Sequence, residues 1–260
     1  MKKKIIYEEK FEYIKKLIKN DLNKILKNKI FYLICILLLI NIFGQLFINI
    51  TNKLVIPEAG IDTYISELAK SNITIILCIL LIGKIIINEF KSNELKRIFQ
   101  KGITGINFFL GKVISVYIIT ISIYLIYILI KVIINSIESG VGFGSISAIL
   151  FDTILKLIFI LALITIFITV SLLVKNYILG GILFLCIINI STILFDIFSL
   201  VGININLNWI NMLNYVNKIC VESINHNILL LIGIMISILY IIVFGMLGLL
   251  IADKSNKKYI

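Results

Sequence analysis

His226 is the single histidine of the chain. Gly142-Phe143-Gly144-Ser145 is a glycine-rich turn ending in serine, the kind of element that can present a serine nucleophile. Such a serine acts only with a base within hydrogen-bond reach. Ile146 follows Ser145 where a second glycine would be expected, and both Ser145 and His226 fall between hydrophobic runs rather than inside one. Glu8–Glu9 is a paired carboxylate with no histidines to match it, and zinc binding lacks ligands. The stretch Gly105-Ile-Asn-Phe-Phe-Leu-Gly111-Lys112-Val113 approaches a phosphate-binding loop but is one residue too long, and Val113 stands where Ser or Thr must hold magnesium. Cys35, Cys78, Cys186 and Cys220 are scattered, without a C-x-x-C pair, and read as small apolar residues. No catalytic, metal-binding or cofactor-binding set is therefore expected on this chain.

Charges inside apolar runs are functional candidates by default. Lys84 lies near one end of such a run and can snorkel to the interface. Asp152 and Lys156 are four residues apart, one helical turn, and can pair. Asp196 lies within a later run, and Asn41 and Gln45 share a helix face from which they can bond to a neighbouring helix. Structural bonding between helices accounts for each of these at least as well as substrate contact.

The elements that hold these residues are hydrophobic helices. Of 260 residues, 60% are hydrophobic, more than one soluble core of this length can hide, so the exterior must face lipid. A span needs about 20 apolar residues. Six runs approach this, at 30–50, 73–88, 108–134, 146–174, 177–201 and 228–251. The chain is expected to be an all-α integral membrane protein of six transmembrane helices, with a tight turn at Lys175–Asn176. The net charge of +11 is placed beside the spans and reads as topology, not nucleic-acid binding. Threading six spans puts 19 Lys and Arg residues on one side and five on the other, with Lys84 set aside. Both termini are then cytoplasmic.

Residues 1–29 repeat Phe11, Ile14, Ile18, Leu22 and Ile25 at helical spacing with lysines opposite, an amphipathic helix suited to the inner membrane surface or to a partner. Residues 89–107 carry Leu95, Ile98 and Phe99 on one face, with Glu94, Lys96, Arg97 and Lys101 around the rest. A short charged helix there can dock a soluble protein, or be an ordinary solvated loop. Residues 202–227 are rich in asparagine with interleaved apolar residues, Trp209 among them, and read as short helices at or dipping into the outer interface.

The connector between the second and third runs resembles that of ABC-2-type transporter permeases. The matching residues are Glu89, Phe90, Lys91, Leu95, Ile98, Phe99, Lys101, Gly102, Ile103, Thr104, Gly111 and Lys112. Asn93–Glu94 stands where that family has a Gly-Thr pair, and Gly105 where it has an arginine. The resemblance implies an exporter-permease architecture, with the amphipathic N-terminal helix at the interface and 89–107 as a coupling segment. In it Glu89, Phe90, Glu94, Leu95, Arg97, Ile98 and Phe99 would engage a cytoplasmic ABC ATP-binding subunit. It further implies a second permease subunit, identical or paralogous, and ATP hydrolysis on the partner rather than here. Size and the EFK…KGIT pattern resemble small bacterial permeases of peptide-antibiotic export or immunity, moving a hydrophobic or amphipathic substrate across the plasma membrane. The alternatives are a membrane sensor or assembly protein without transport and, more weakly, an intramembrane protease.

Overall fold

The computed structural model describes residues 2–51, 58–90, 92–100, 103–142, 146–200, 211–217 and 226–259. Among them every regular element is helical. The long elements are α1 (Lys2–Leu26), α2 (Lys29–Thr51), α4 (Asn72–Ile87), α6 (Gly105–Ser139), α7 (Ile146–Val174) and α11 (His226–Tyr259). The shorter ones are α3 (Gly60–Lys70), α5 (Ser92–Gln100), α8 (Tyr177–Ile188), α9 (Ile190–Leu200) and α10 (Met212–Val216), with a 3-10 turn at Asn88–Phe90. By length and composition five helices can cross a membrane: Lys29–Phe47, Asn72–Phe90, Gly105–Ser139, Ile149–Val174 and Ile228–Lys257.

The sixth hydrophobic run, 177–201, is divided. Asn189 sits between α8 and α9 at φ −101° and ψ 10°, and its side-chain amide donates to the Leu185 carbonyl at 3.0 Å. That bond shares its acceptor with the Asn189 backbone N–H, 3.3 Å from the same carbonyl, and such sharing bends helices. Hydropathy registers this asparagine only as one polar residue in an apolar stretch. Neither half alone has the length of a span.

α7 is the axis of the bundle. In its membrane-length window 72% of residues are buried, against 11% in α2 and 17% in α11, so α2 and α11 present most of their surface outward. α7 packs along α11 most extensively and also meets α8, α6 and α4. Phe159, Phe167 and Phe184 are fully buried there, with Phe167 and Phe184 edge to face at 5.2 Å. The turn between α7 and α8 is made by Lys175 in the left-handed region, φ 56°. Asn176 then caps α8 by accepting from the Ile178 N–H at 2.9 Å.

At the end of the bundle remote from α1, α3 lies across α6 and α7. Gly140 and Gly142 hold positive φ in the turn leaving α6. The Gly140 and Val141 carbonyls accept from the Gly60 and Ile61 N–H groups at 3.0 and 2.9 Å, which satisfies donors that the first turn of α3 cannot pair internally. Ser145 lies outside the described residues, as do Trp209 and most of the 202–227 segment. The described part of that segment, α10, is capped by Asn211 and buries Met212, Tyr215 and Val216 against α7 and α11.

Candidate functional site: the α4–α6 connector and its ion cluster

The connector begins as α4 tightens into the 3-10 turn Asn88–Phe90, continues as α5, and rejoins the bundle where Thr104 caps α6 by accepting from the Asn107 N–H at 3.3 Å. Phe90, Leu95, Phe99 and Phe108 are all buried. The Phe108 ring is met edge-on by Phe90 and by Phe99, each at 5.7 Å. Leu95 and Phe99 are therefore spent on holding α5 to the bundle. Ile98 is half-buried, and Lys96, Arg97 and Gln100 face outward. Leu95 and Phe99 of the apolar stripe are an inward anchor, and among the described side chains those left to a partner are polar and basic. Glu94 belongs to α5.

Behind the connector lies an ion cluster. Lys112 of α6 is 1% exposed and contacts Asp21 of α1 at 2.7 Å and Glu89 at 2.5 Å. Lys24 of α1 completes it, 2.6 Å from Glu89, and the Ser115 hydroxyl donates to Asp21 at 3.2 Å. Burial pushes the Asp21 carboxyl above its ordinary value, with Lys112 pulling it back. The arrangement chains α1, the end of α4 and α6 through charge-assisted bonds. α1 can approach because Gly111 offers no Cβ: one placed there would overlap the Leu17 side chain. On the other flank a Cβ at Gly105 would overlap the Ala252 backbone of α11. Movement of α5 is thus mechanically tied to α1, α4, α6 and α11 together.

Sequence reasoning singled out Glu89 and Lys112 but missed Asp21, a lone acid in the lysine-rich second half of α1. The available signal was its helical register with Leu17 and Leu22, on the side that packs rather than the side that solvates.

A second polar assembly occupies the half of the bundle remote from α1. Lys131 of α6 pairs with Glu67 of α3 at 2.7 Å and lies 4.7 Å from the Tyr127 ring centroid. Asn135 donates to Thr63 at 2.7 Å. The Ser71 hydroxyl donates to the Glu67 carbonyl, and its oxygen lies 3.0 Å from the Tyr124 hydroxyl. Asn41 bonds across helices, accepting from the Tyr127 hydroxyl at 2.8 Å. Lys156 of α7 donates to Asn72 at 2.5 Å and sits between the Tyr124 and Phe159 rings. Asp152 is buried in the same region. Lys84 lies elsewhere, exposed and 6.0 Å from the Tyr177 ring centroid.

Among the described residues no group of histidine, cysteine, aspartate and glutamate side chains can hold a metal ion. A family model described as "ABC-2 family transporter protein" matches residues 17–191, which takes in α1 from the Asp21 turn onward, the connector, its ion cluster and the whole of α7. The chain belongs to the ABC-2 transporter family. No match was found among curated proteins or solved structures. As an ABC-2 family member with several apolar helices, it is a multi-pass membrane protein and the permease component of an ABC transporter, a role that implies association with an ATP-binding subunit.

Proposed function

We propose that this ABC-2 permease exports a hydrophobic or amphipathic compound from a bacterial plasma membrane, with α5 as the docking and coupling element for the ATPase. The observation that carries this reading is the Lys112–Asp21–Glu89–Lys24 cluster directly behind α5. A load applied to α5 has no slack path: Phe99 binds it to Phe108 of α6, Leu95 is buried beside it, and the cluster binds α6 to α1 and α4. Such a rigid junction suits a bistable assembly that nucleotide state pushes between two arrangements.

In this scheme both termini and α5 are cytoplasmic, the side that the lysine distribution favours, and α8 with α9 completes a sixth crossing bent at Asn189. The outward faces of α2 and α11 are available to lipid and to a second permease subunit. A groove of about 460 Å³ between α4, α8 and α10, lined by Ile73, Ile76, Leu77, Leu80 and Leu185 with Lys70, Asn72, Asn189 and Asn217 at its polar end, fits an amphipathic cargo. The antibiotic-export or immunity role rests on the chain's size and the EFK…KGIT pattern.

The test is purification of the tagged chain from native membranes. An ATP-binding subunit is expected to co-purify with the wild type and to be lost from a Lys96→Glu, Arg97→Glu variant that still inserts and runs as a monodisperse species. Retention of the ATPase by that variant would remove α5 from the docking role.

A further inference from the structure

The groove between α4, α8 and α10 has a polarity that its lining residues do not show by type. Three of its four polar residues are asparagines, and an asparagine presents an acceptor and a donor on the same fork. What each turns toward the groove is decided by what lies behind it, and here that is Lys156. Its amine is buried and has the Asn72 amide for its partner. It donates to the Asn72 Oδ1 at 2.5 Å, which fixes that amide with its nitrogen pointing away. The Asn72 Nδ2 then donates to the Asn217 Oδ1 at 2.6 Å and to the Ala69 carbonyl at 2.9 Å. Asn217 is fixed in turn: with its oxygen taken by Asn72, its Nδ2 is the group it can offer a ligand. Asn217 is exposed and lines the groove. The polarity of a lysine inside α7 is thereby carried through two amides to the groove's mouth.

The exposed cation at this end is Lys70, two thirds exposed, whose surface pair with Glu58 is long at 3.5 Å and weak in solvent. Asn189 gives one of its two amide N–H bonds to the Leu185 carbonyl. The head region therefore offers an ammonium and an amide N–H₂, with one amide oxygen at its far side. From there Ile73, Ile76, Leu77 and Leu80 run down α4 over about 12 Å, at 1.5 Å per residue. This wall is aliphatic, without an aromatic ring.

We propose that the groove binds a phospholipid-like amphiphile. Its phosphate oxygens would lie on Lys70 and Asn217 and one acyl chain along α4, and Lys156 acts as a positioning residue that sets this choice of head group through Asn72 and Asn217. The inference rests on the export reading and narrows its cargo to molecules with an acceptor-rich, anionic head and an aliphatic tail. In the proposed topology the mouth opens at the outer leaflet, which places the release side of export at the level of the lipid head groups.

The test uses the full chain with Trp209→Phe and a reporter tryptophan from Leu77→Trp, a residue half-exposed in the groove. Quenching is measured with two bromine-labelled diacyl lipids of the same chain length, phosphatidylglycerol and a trimethylammonium lipid lacking phosphate, in an unlabelled neutral bilayer. Phosphatidylglycerol is expected to quench at a mole fraction about three- to tenfold lower, the worth of one or two added hydrogen bonds. Asn217→Asp, which replaces the donor by an acceptor at an exposed site, brings the ratio to one or below. Lys156→Met lowers it by releasing the Asn72 amide. Equal quenching by both lipids in the parent protein overturns the proposal, and so does a preference that survives Asn217→Asp, since that would be general attraction to a basic protein. Shielding of the reporter by an amphipathic peptide, with no phosphate preference, assigns the groove to peptide and overturns it as well. ATPase co-purification is scored on the same samples. An intact complex without lipid preference rejects the head-group assignment alone, whereas lipid preference without the complex rejects the docking reading.

Discussion

Lys112 is the residue on which the connector region turns, because it is buried between two carboxylates. Removing one partner of a buried ion pair leaves an uncompensated charge and costs about 3–5 kcal/mol. Lys112→Met is therefore expected to lower the midpoint of denaturant unfolding in detergent sharply, and Lys112→Met combined with Asp21→Asn and Glu89→Gln to recover most of the loss, since all three groups are then neutral. Asp21→Asn alone should cost about 1 kcal/mol or less, because Glu89 still neutralises Lys112 and the amide oxygen still accepts from it. The pH dependence follows in sign. Burial raises the Asp21 carboxyl above 3.8 when folded, so the folded state holds this proton more tightly than the unfolded one. The Asp21 contribution to stability then falls as pH rises from about 3.8 through the raised value, and levels above it. Asp21→Asn should remove that slope, measured as unfolding midpoint against pH. No change in slope would mean that the ion cluster, not the burial, governs this group.

At the scale of elements, the helices were the most legible part of the molecule and their ends the least. Hydrophobic runs mark α2, α4, α6, α7 and α11 because lipid-facing and core-facing surfaces are both apolar, and for the same reason hydropathy says nothing about which face meets which helix. It gave no sign that α7 is the axis and α2 the periphery. The break at Asn189 depends on one side-chain bond to the Leu185 carbonyl, invisible to a windowed average. Asn189→Leu is expected to straighten α8 into α9 with little loss of stability, and to lengthen the distance between spin labels on the two halves to the value for 1.5 Å rise per residue. An unchanged distance would place the cause of the bend in surrounding packing instead. The approach of α1 to α6 depends on Gly111 in the same local way. Gly111→Leu should displace α1 by overlap with Leu17 and weaken the Lys112–Asp21 contact, seen as loss of a disulfide cross-link engineered between the two helices while α7–α11 cross-links persist.

For the whole molecule the question is how a load applied at one end reaches the other, and the two buried polar assemblies divide the answer. The cluster around Lys112 clamps α1, α4 and α6 at the connector end, while the Glu67–Lys131 and Lys156–Asn72 bonds clamp α3, α4, α6 and α7 at the opposite end. α4 and α6 take part in both. Between them these helices meet along aliphatic side chains such as Ile79, Ile82, Val116 and Ile119, which can slide without breaking directional bonds. An assembly with specific contacts at both ends and unspecific ones in the middle can pivot as rigid rods, and its two ends should be energetically separable. Glu67→Gln with Lys131→Met is expected to leave ATPase association intact, because nothing at the connector changes, while uncoupling ATP turnover from transport. Lys96→Glu with Arg97→Glu should do the reverse and abolish association with the groove end unaltered. The measurement is basal and cargo-stimulated ATP hydrolysis by the co-purified complex in proteoliposomes. If the Glu67–Lys131 double variant keeps full cargo stimulation, the remote polar layer serves only to fix the helices in place, and the switching element must be sought in the bent α8–α9 pair beside the groove.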